Sequence, residues 1–142
     1  EDEEVFVHAR DPYKRIDMLQ SSRDVQVMVA GEKVAATQRP VLLFETGHPV
    51  RYYIPREDVR MDLLEASATV TRCPYKGIAS YWSVRVGDKL IKDLVWGYLN
   101  PVAESPKIKG LLCFFNERVD AIYVDGEAMP IPLTKWSREP EP

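Results

Sequence analysis

Soft metal ligands are scarce in this chain. Its 142 residues hold two cysteines, Cys73 and Cys113, and two histidines, His8 and His48. No two of the four stand at a C-x-x-C or H-x-x-x-H spacing, so a zinc site requires all of them to converge from distant places. Two cysteines are also too few for a disulfide-rich secreted scaffold; one bridge between them is open, and two reduced thiols fit better. No apolar run reaches the ~20 residues that a membrane-spanning helix needs. The chain starts without methionine and without a charged-then-apolar leader, as expected of a trimmed chain or of one domain of a longer protein. The phosphate loops G-x-x-x-x-G-K and G-x-G-x-x-G are missing. A formal net charge of -3 argues against tracking a nucleic-acid backbone. Eleven scattered prolines deny any long helix. The expectation is a soluble, cytoplasmic domain with no nucleic-acid partner, no membrane, no metal and no cofactor; a homodimer is compatible with the composition.

What the chain does have is period-2 alternation. Val25, Val27 and Val29 alternate with Gln26 and Met28, the pattern of a half-buried strand. Gly31-Glu32 offers a turn, and residues 33–37 return. Val41 to Glu45 and Arg51 to Ile54 flank Thr46-Gly47-His48-Pro49, a second hairpin signal. Trp82, Val84 and Val86 share one face of a strand, with Tyr81, Ser83 and Arg85 on the other. Gly87-Asp88 turns that strand into Lys89 to Asp93. Asp125-Gly126 suits the positive φ of a tight turn between Ile122–Val124 and Glu127–Met129. Helical signals are limited to short turns at Pro55 to Asp58 and Pro106 to Leu112. The expected fold is mainly β, with one or two short helical turns. Residues 1–21 read as an N-terminal arm, 22–127 as a single domain and 128–142 as an extended Pro-rich tail from which Trp136 docks back.

Three groups of residues carry candidate chemistry. In Cys73-Pro74-Tyr75-Lys76-Gly77, Pro74 suits the second position of a β-turn that brings the Cys73 carbonyl to the Lys76 amide. An ammonium near a thiol favours thiolate, so the turn is either a reactive Cys-Lys site or a strand end closed by a core cysteine. Glu45 closes an apolar strand and either points into a cleft with Arg51, Tyr53 or Arg60 as a general acid or base, or forms a strand-end ion pair. The aromatics Tyr53, Tyr81 and Trp96 are candidate pocket walls, against a plain β core. By alternation Trp82 belongs to the core and Tyr81 to the opposite face. Turn placement alone accounts for His48.

Several separated motifs occur in one order: Arg39-Pro-Val-Leu-Leu-Phe-Glu-Thr-Gly47, Arg51-Tyr-Tyr-Ile-Pro55, Asp58-Val-Arg-Met-Asp-Leu-Leu64, Cys73-Pro-Tyr-Lys-Gly77 and Ala79-Ser-Tyr-Trp82, followed by Phe115-Asn-Glu-Arg-Val119. Together they closely resemble the domain of unknown function 427 family over roughly residues 22–127. The resemblance implies a fold similar to the β-tent, the architecture of methionine sulfoxide reductase B and of the thalidomide-binding domain of cereblon. In that architecture two small antiparallel sheets meet at an angle, often under a zinc clamp on two C-x-x-C knuckles. This chain lacks both knuckles, so no clamp is expected. Relatives with this architecture hold small ligands between the sheets, which is a fold-level analogy.

Residues and resemblance together support three alternatives. The first is a metal- and cofactor-independent enzyme of acid–base chemistry, lyase or isomerase in type, acting on a small organic substrate. Its catalytic candidates are Glu45, Lys76 and Cys73, and its ligand-binding candidates are Arg39, Tyr53, Arg60, Tyr81 and Trp96. The second is a non-catalytic ligand-binding module using the same aromatic pocket. The third is a thiol redox protein using Cys73.

Overall fold

The computed structural model describes residues 15–74, 76–101 and 106–138. The acidic run at residues 1–4, His8, Tyr75 and the last residues of the tail lie outside the described residues. The described chain is mainly β, with two antiparallel sheets and only short 3-10 turns, as the sequence predicts. The strands are β1 (Ile16–Gln20), β2 (Val25–Val29), β3 (Glu32–Thr37), β4 (Val41–Glu45), β5 (Arg51–Ile54) and β6 (Leu64–Cys73). They continue with β7 (Gly77–Val86), β8 (Lys89–Tyr98), β9 (Leu112–Phe114), β10 (Ala121–Val124) and β11 (Glu127–Ala128). Seven strands form the larger sheet in the order β1-β4-β5-β9-β8-β7-β6, and four form the smaller in the order β11-β10-β2-β3. The larger sheet exceeds the small sheets expected from the resemblance.

All four hairpins read from the alternation are present: β2–β3, β4–β5, β7–β8 and β10–β11. Asp125 and Gly126 both have positive φ (52° and 85°), the two-residue turn whose twist matches the strands it joins. At the β2–β3 turn the left-handed pair is Ala30 and Gly31 (50° and 82°), one residue earlier than expected. The helical turns fall at Arg56–Asp58 and Pro106–Ile108, with a further one at Met61–Leu63.

β1, β6, β9 and the end of β8 were not legible. β1 lies inside the stretch expected as an arm and pairs with β4, Met18 opposite Leu43. Strand β6 is a ten-residue edge strand whose residues are mostly exposed, so its apolar period is faint. The end of β8 from Asp93 to Tyr98 is buried on both faces and reads as a continuous run rather than an alternation. Beside β7, both β6 and β8 bulge, between Ala66 and Val70 and alongside Trp82–Val84 respectively. At the β8 bulge Asp93 is buried with φ 51°. Its carboxylate accepts from Thr69 Oγ1 (2.6 Å) and its N–H donates to Ser83 Oγ (3.1 Å), so one side chain and its amide join the three strands.

A single apolar core runs through both sheets, with Val25, Val27, Val29 and Ile122 from the smaller and Leu43, Tyr53, Ile54, Val95 and Phe114 from the larger. Tyr52 of β5 shares a recess with Ile122 and Met129, which sets the smaller sheet against the Tyr52 side. Side chains of β5 alternate, so Arg51 and Tyr53 face the other way. No helix among the described residues is long and apolar enough to cross a membrane.

Gly97 is where β8 and the approach to β9 come closest. A Cβ there would sit 2.7 Å from the Leu111 carbonyl oxygen and 3.0 Å from Leu112 Cδ2. Backbone must move to admit it, so Gly97→Ala is expected to cost about 1–3 kcal/mol. In urea titration the midpoint falls while the slope stays unchanged.

Candidate functional site

Strand register puts the site together. Leu43 pairs with Arg51, Tyr53 with Cys113, Cys113 with Trp96, Trp96 with Tyr81, and Tyr98 with Ala79, which in turn pairs with Thr71. Paired residues of adjacent strands share a face, and so do residues two apart. One face of the larger sheet therefore presents Glu45, Arg51, Tyr53, Trp96, Tyr98, Tyr81, Thr71 and Cys73. These residues line a cavity of about 470 Å³, together with His48, Lys76, Phe115, Lys135 and Trp136.

The Cys73–Lys76 turn forms as its proline predicts, with the Lys76 N–H donating to the Cys73 carbonyl at 3.2 Å. That turn carries the Lys76 side chain to β4, where Nζ donates to Glu45 Oε1 at 2.7 Å. The two side chains are 10% and 8% exposed, so this is a buried ion pair on the cavity wall. The His48 ring reaches the other carboxylate oxygen, Nδ1 to Oε2 at 3.9 Å, and also contacts the Thr46 carbonyl at 3.1 Å. Its opposite side stacks on Trp136, ring centres 5.7 Å apart.

A second buried ion pair lies deeper. Arg51 holds Glu117 with two bonds, Nη1 to Oε1 at 2.6 Å and Nη2 to Oε2 at 2.9 Å, and Nη1 also donates to Asn116 Oδ1 at 2.6 Å. The guanidinium carbon lies 5.2, 5.6 and 5.7 Å from the ring centres of Trp96, Phe115 and Trp136. Thr134 Oγ1 donates to Glu117 Oε2 at 2.5 Å, which ties the C-terminal segment to the same carboxylate. Trp96 Nε1 donates to the Tyr53 hydroxyl at 3.0 Å, their rings edge to face.

Burial sets the protonation of the phenols. Burial pushes the Tyr53 hydroxyl well above its usual range, helped by Cys113 and Tyr98 and opposed by the Trp96 hydrogen bond. Burial also raises Tyr81, against the hydrogen bond it shares with Thr71 Oγ1 at 2.9 Å. Both phenols stay protonated at neutral pH. Burial pushes the Cys113 thiol up to about 12, so it is not a thiolate there. Cys113 sits on β9 with β8 and β7 between it and the β6 end that carries Cys73, and both cysteines are free. Among the described residues no three of His, Cys, Asp and Glu converge as metal ligands do.

The structure thus gathers Glu45, Lys76, Cys73, Tyr53, Tyr81 and Trp96 around one cavity. Arg39 and Arg60 stand elsewhere. Arg39 lines a separate surface recess with Gln20 and Lys107 and pairs with Glu57 and Asp58, both at 3.4 Å. Arg60 is taken by Asp62, two residues on, at 2.8 Å. Trp82 lies on the opposite face from Tyr81, partly buried against the core with Arg56 over its ring. From sequence His48 reads as a turn residue, Tyr98 as one of several crowded aromatics not chosen for the pocket, and Arg51 as a cleft companion of Glu45 or a binder of phosphate or carboxylate. Arg51 had a signal: it is two residues from Tyr53 on a strand, so placing Tyr53 in the pocket places Arg51 there too.

Fold and site define a mainly β domain of two antiparallel sheets, with a cavity of ligand size on one face of the larger. Residues 17–125 match the family described as Domain of unknown function (DUF427), and the chain belongs to that family. No curated protein matches the chain.

Burial pushes the Glu117 carboxyl up, but hydrogen bonds from Arg51 and Thr134 and the charge of Arg51 outweigh it and hold the group below the ordinary 4.5. A carboxyl with a lower pKa folded than unfolded adds stability above its unfolded value, and that stability is lost as pH falls through the folded value. Glu117→Gln leaves a buried guanidinium without its counter-charge and is expected to cost about 3–5 kcal/mol at neutral pH. Denaturation followed against pH checks this: the gap between wild type and variant narrows once the pH drops below 4.5.

Proposed function

We propose that this domain is an enzyme of acid–base chemistry, lyase or isomerase in type, acting on a small organic substrate held in the cavity. The observation that carries the reading is the 2.7 Å contact between Glu45 and Lys76 on the wall of a 470 Å³ cavity. Cavities of about 300–1,000 Å³ suit small ligands. A structural ion pair needs no such space beside it.

In this reading Glu45 takes a proton from a carbon next to a carbonyl and returns it to a neighbouring atom or to a leaving group. The Lys76 ammonium and the protonated Tyr81 hydroxyl stabilise the oxygen on which negative charge develops. Tyr53, Trp96 and Trp136 wall the substrate and keep water from the pair. Cys73 stands at the cavity without a required step, and Arg39 and Arg60 take no part. A binding module without turnover is the second reading. The ring cluster of Trp96, Phe115 and Trp136 favours it, since stacking needs neither acid nor base.

A panel of small ketones, keto acids and hydroxy acids in D2O, followed by proton NMR, separates the two. The enzyme reading expects protein-dependent loss of a C–H signal in at least one panel member. It also expects Glu45→Gln, compared under conditions where the variant remains folded by circular dichroism, to slow that loss by about 100-fold or more. Saturable binding without exchange supports the module instead, and exchange at the wild-type rate in Glu45→Gln contradicts the role of Glu45.

A further inference from the structure

We propose that Lys76 is a nucleophile that forms a Schiff base with a small aldehyde or ketone, with Glu45 carrying the protons. This rests on the cavity reading above and adds to it a substrate class and a covalent step.

Lys76 is 8% exposed, whereas every other lysine among the described residues is exposed. Lysine is rarely buried unless its charge is matched or its amine is used. Here the charge is matched by Glu45, yet the pair faces a cavity rather than packed side chains. A buried ion pair also adds little net stability over apolar residues of the same volume, so stability alone is a weak reason for it. The short turn from Cys73 fixes where the lysine side chain starts, and the 2.7 Å hydrogen bond fixes where its nitrogen ends. The Glu45 carboxylate at hydrogen-bond distance is a base placed to accept the proton that the ammonium must lose before its nitrogen attacks.

The step balances within these two residues. Glu45 takes one proton from the Lys76 ammonium, and the freed lone pair attacks the carbonyl carbon. The C–N bond forms as the carbonyl π bond opens onto oxygen, and Glu45 returns its proton to that oxygen. Glu45 next removes a proton from the nitrogen and delivers it to the hydroxyl. Water leaves while the nitrogen lone pair closes the C=N bond. The ammonium and carbonyl become an iminium and one water, and Glu45 ends as it began. The positive nitrogen then withdraws electrons from the adjacent carbon, which eases the proton abstraction assigned to Glu45 above.

Reductive trapping tests this without knowledge of the natural substrate. The folded protein is incubated with pyruvate or benzaldehyde and cyanoborohydride, then digested, and adducts are located by mass spectrometry. The proposal expects more adduct at Lys76 than at any exposed lysine. It also expects Glu45→Gln to slow trapping at Lys76 by about 100-fold while surface lysines label unchanged. Labelling that simply follows exposure, with Lys76 the least modified, overturns it; that map is read on the wild-type protein and needs no variant to fold. The two proposals fail separately. Glu45-dependent exchange in D2O that survives in Lys76→Arg, with no Lys76 adduct, overturns the Schiff base and leaves the acid–base reading. An adduct at Lys76 without any exchange does the reverse.

Discussion

The ion pair between Arg51 and Glu117 is the contact on which the rest of this site depends. It joins β5 to the segment after β9, and through Thr134 it reaches the C-terminal segment that brings Trp136 over the cavity. Both side chains are almost fully buried, so either charge left alone would carry a large desolvation cost. The two bonds in parallel, the added acceptor on Asn116 and the surrounding aromatic rings together meet that cost. Both terminal nitrogens of Arg51 are held by Glu117 and Asn116, so it lines the cavity as part of a structural pair. The proposed chemistry is assigned to the other pair, Glu45 and Lys76.

The two pairs differ in what surrounds them. Arg51 and Glu117 are enclosed by Trp96, Phe115 and Thr134, and their arrangement serves cohesion. Glu45 and Lys76 bridge a strand end and the turn after β6, on the wall of the cavity. A proton moving from Lys76 to Glu45 cancels both charges at once, so the pair can change state without leaving a lone charge in an apolar wall. That property suits the acid–base role proposed for it.

Much of this was legible in the sequence where the signal was local. The hairpins read at Gly31-Glu32, Gly87-Asp88 and Asp125-Gly126 carry both alternation and turn chemistry, and they formed, the first with its turn one residue earlier. The Cys73–Lys76 turn followed from Pro74. Tyr81 and Trp82 parted to opposite faces as alternation requires. What failed to show was set by distant partners. β1 and β6 are edge strands whose backbone pairing, rather than an apolar period, defines them. Arg39 and Arg60 resembled ligand grips, but Glu57 and Asp58, far from Arg39 in sequence, engage the first at the surface, and Asp62, two residues on, engages the second. His48 looked like a turn residue, since its stacking partner Trp136 returns from the far end of the chain.

The central claim is that the space between the Glu45–Lys76 pair and the aromatic wall is a small-molecule site with that pair at its chemical centre. A crystal structure of the protein soaked with a library of small carbonyl and carboxylic fragments tests it most directly. The account predicts fragments between Trp96 and Trp136 with an oxygen within hydrogen-bond distance of Lys76 Nζ or Glu45. Fragments that gather instead in the recess lined by Tyr52, Ile122 and Met129, and leave the pair untouched, would contradict it.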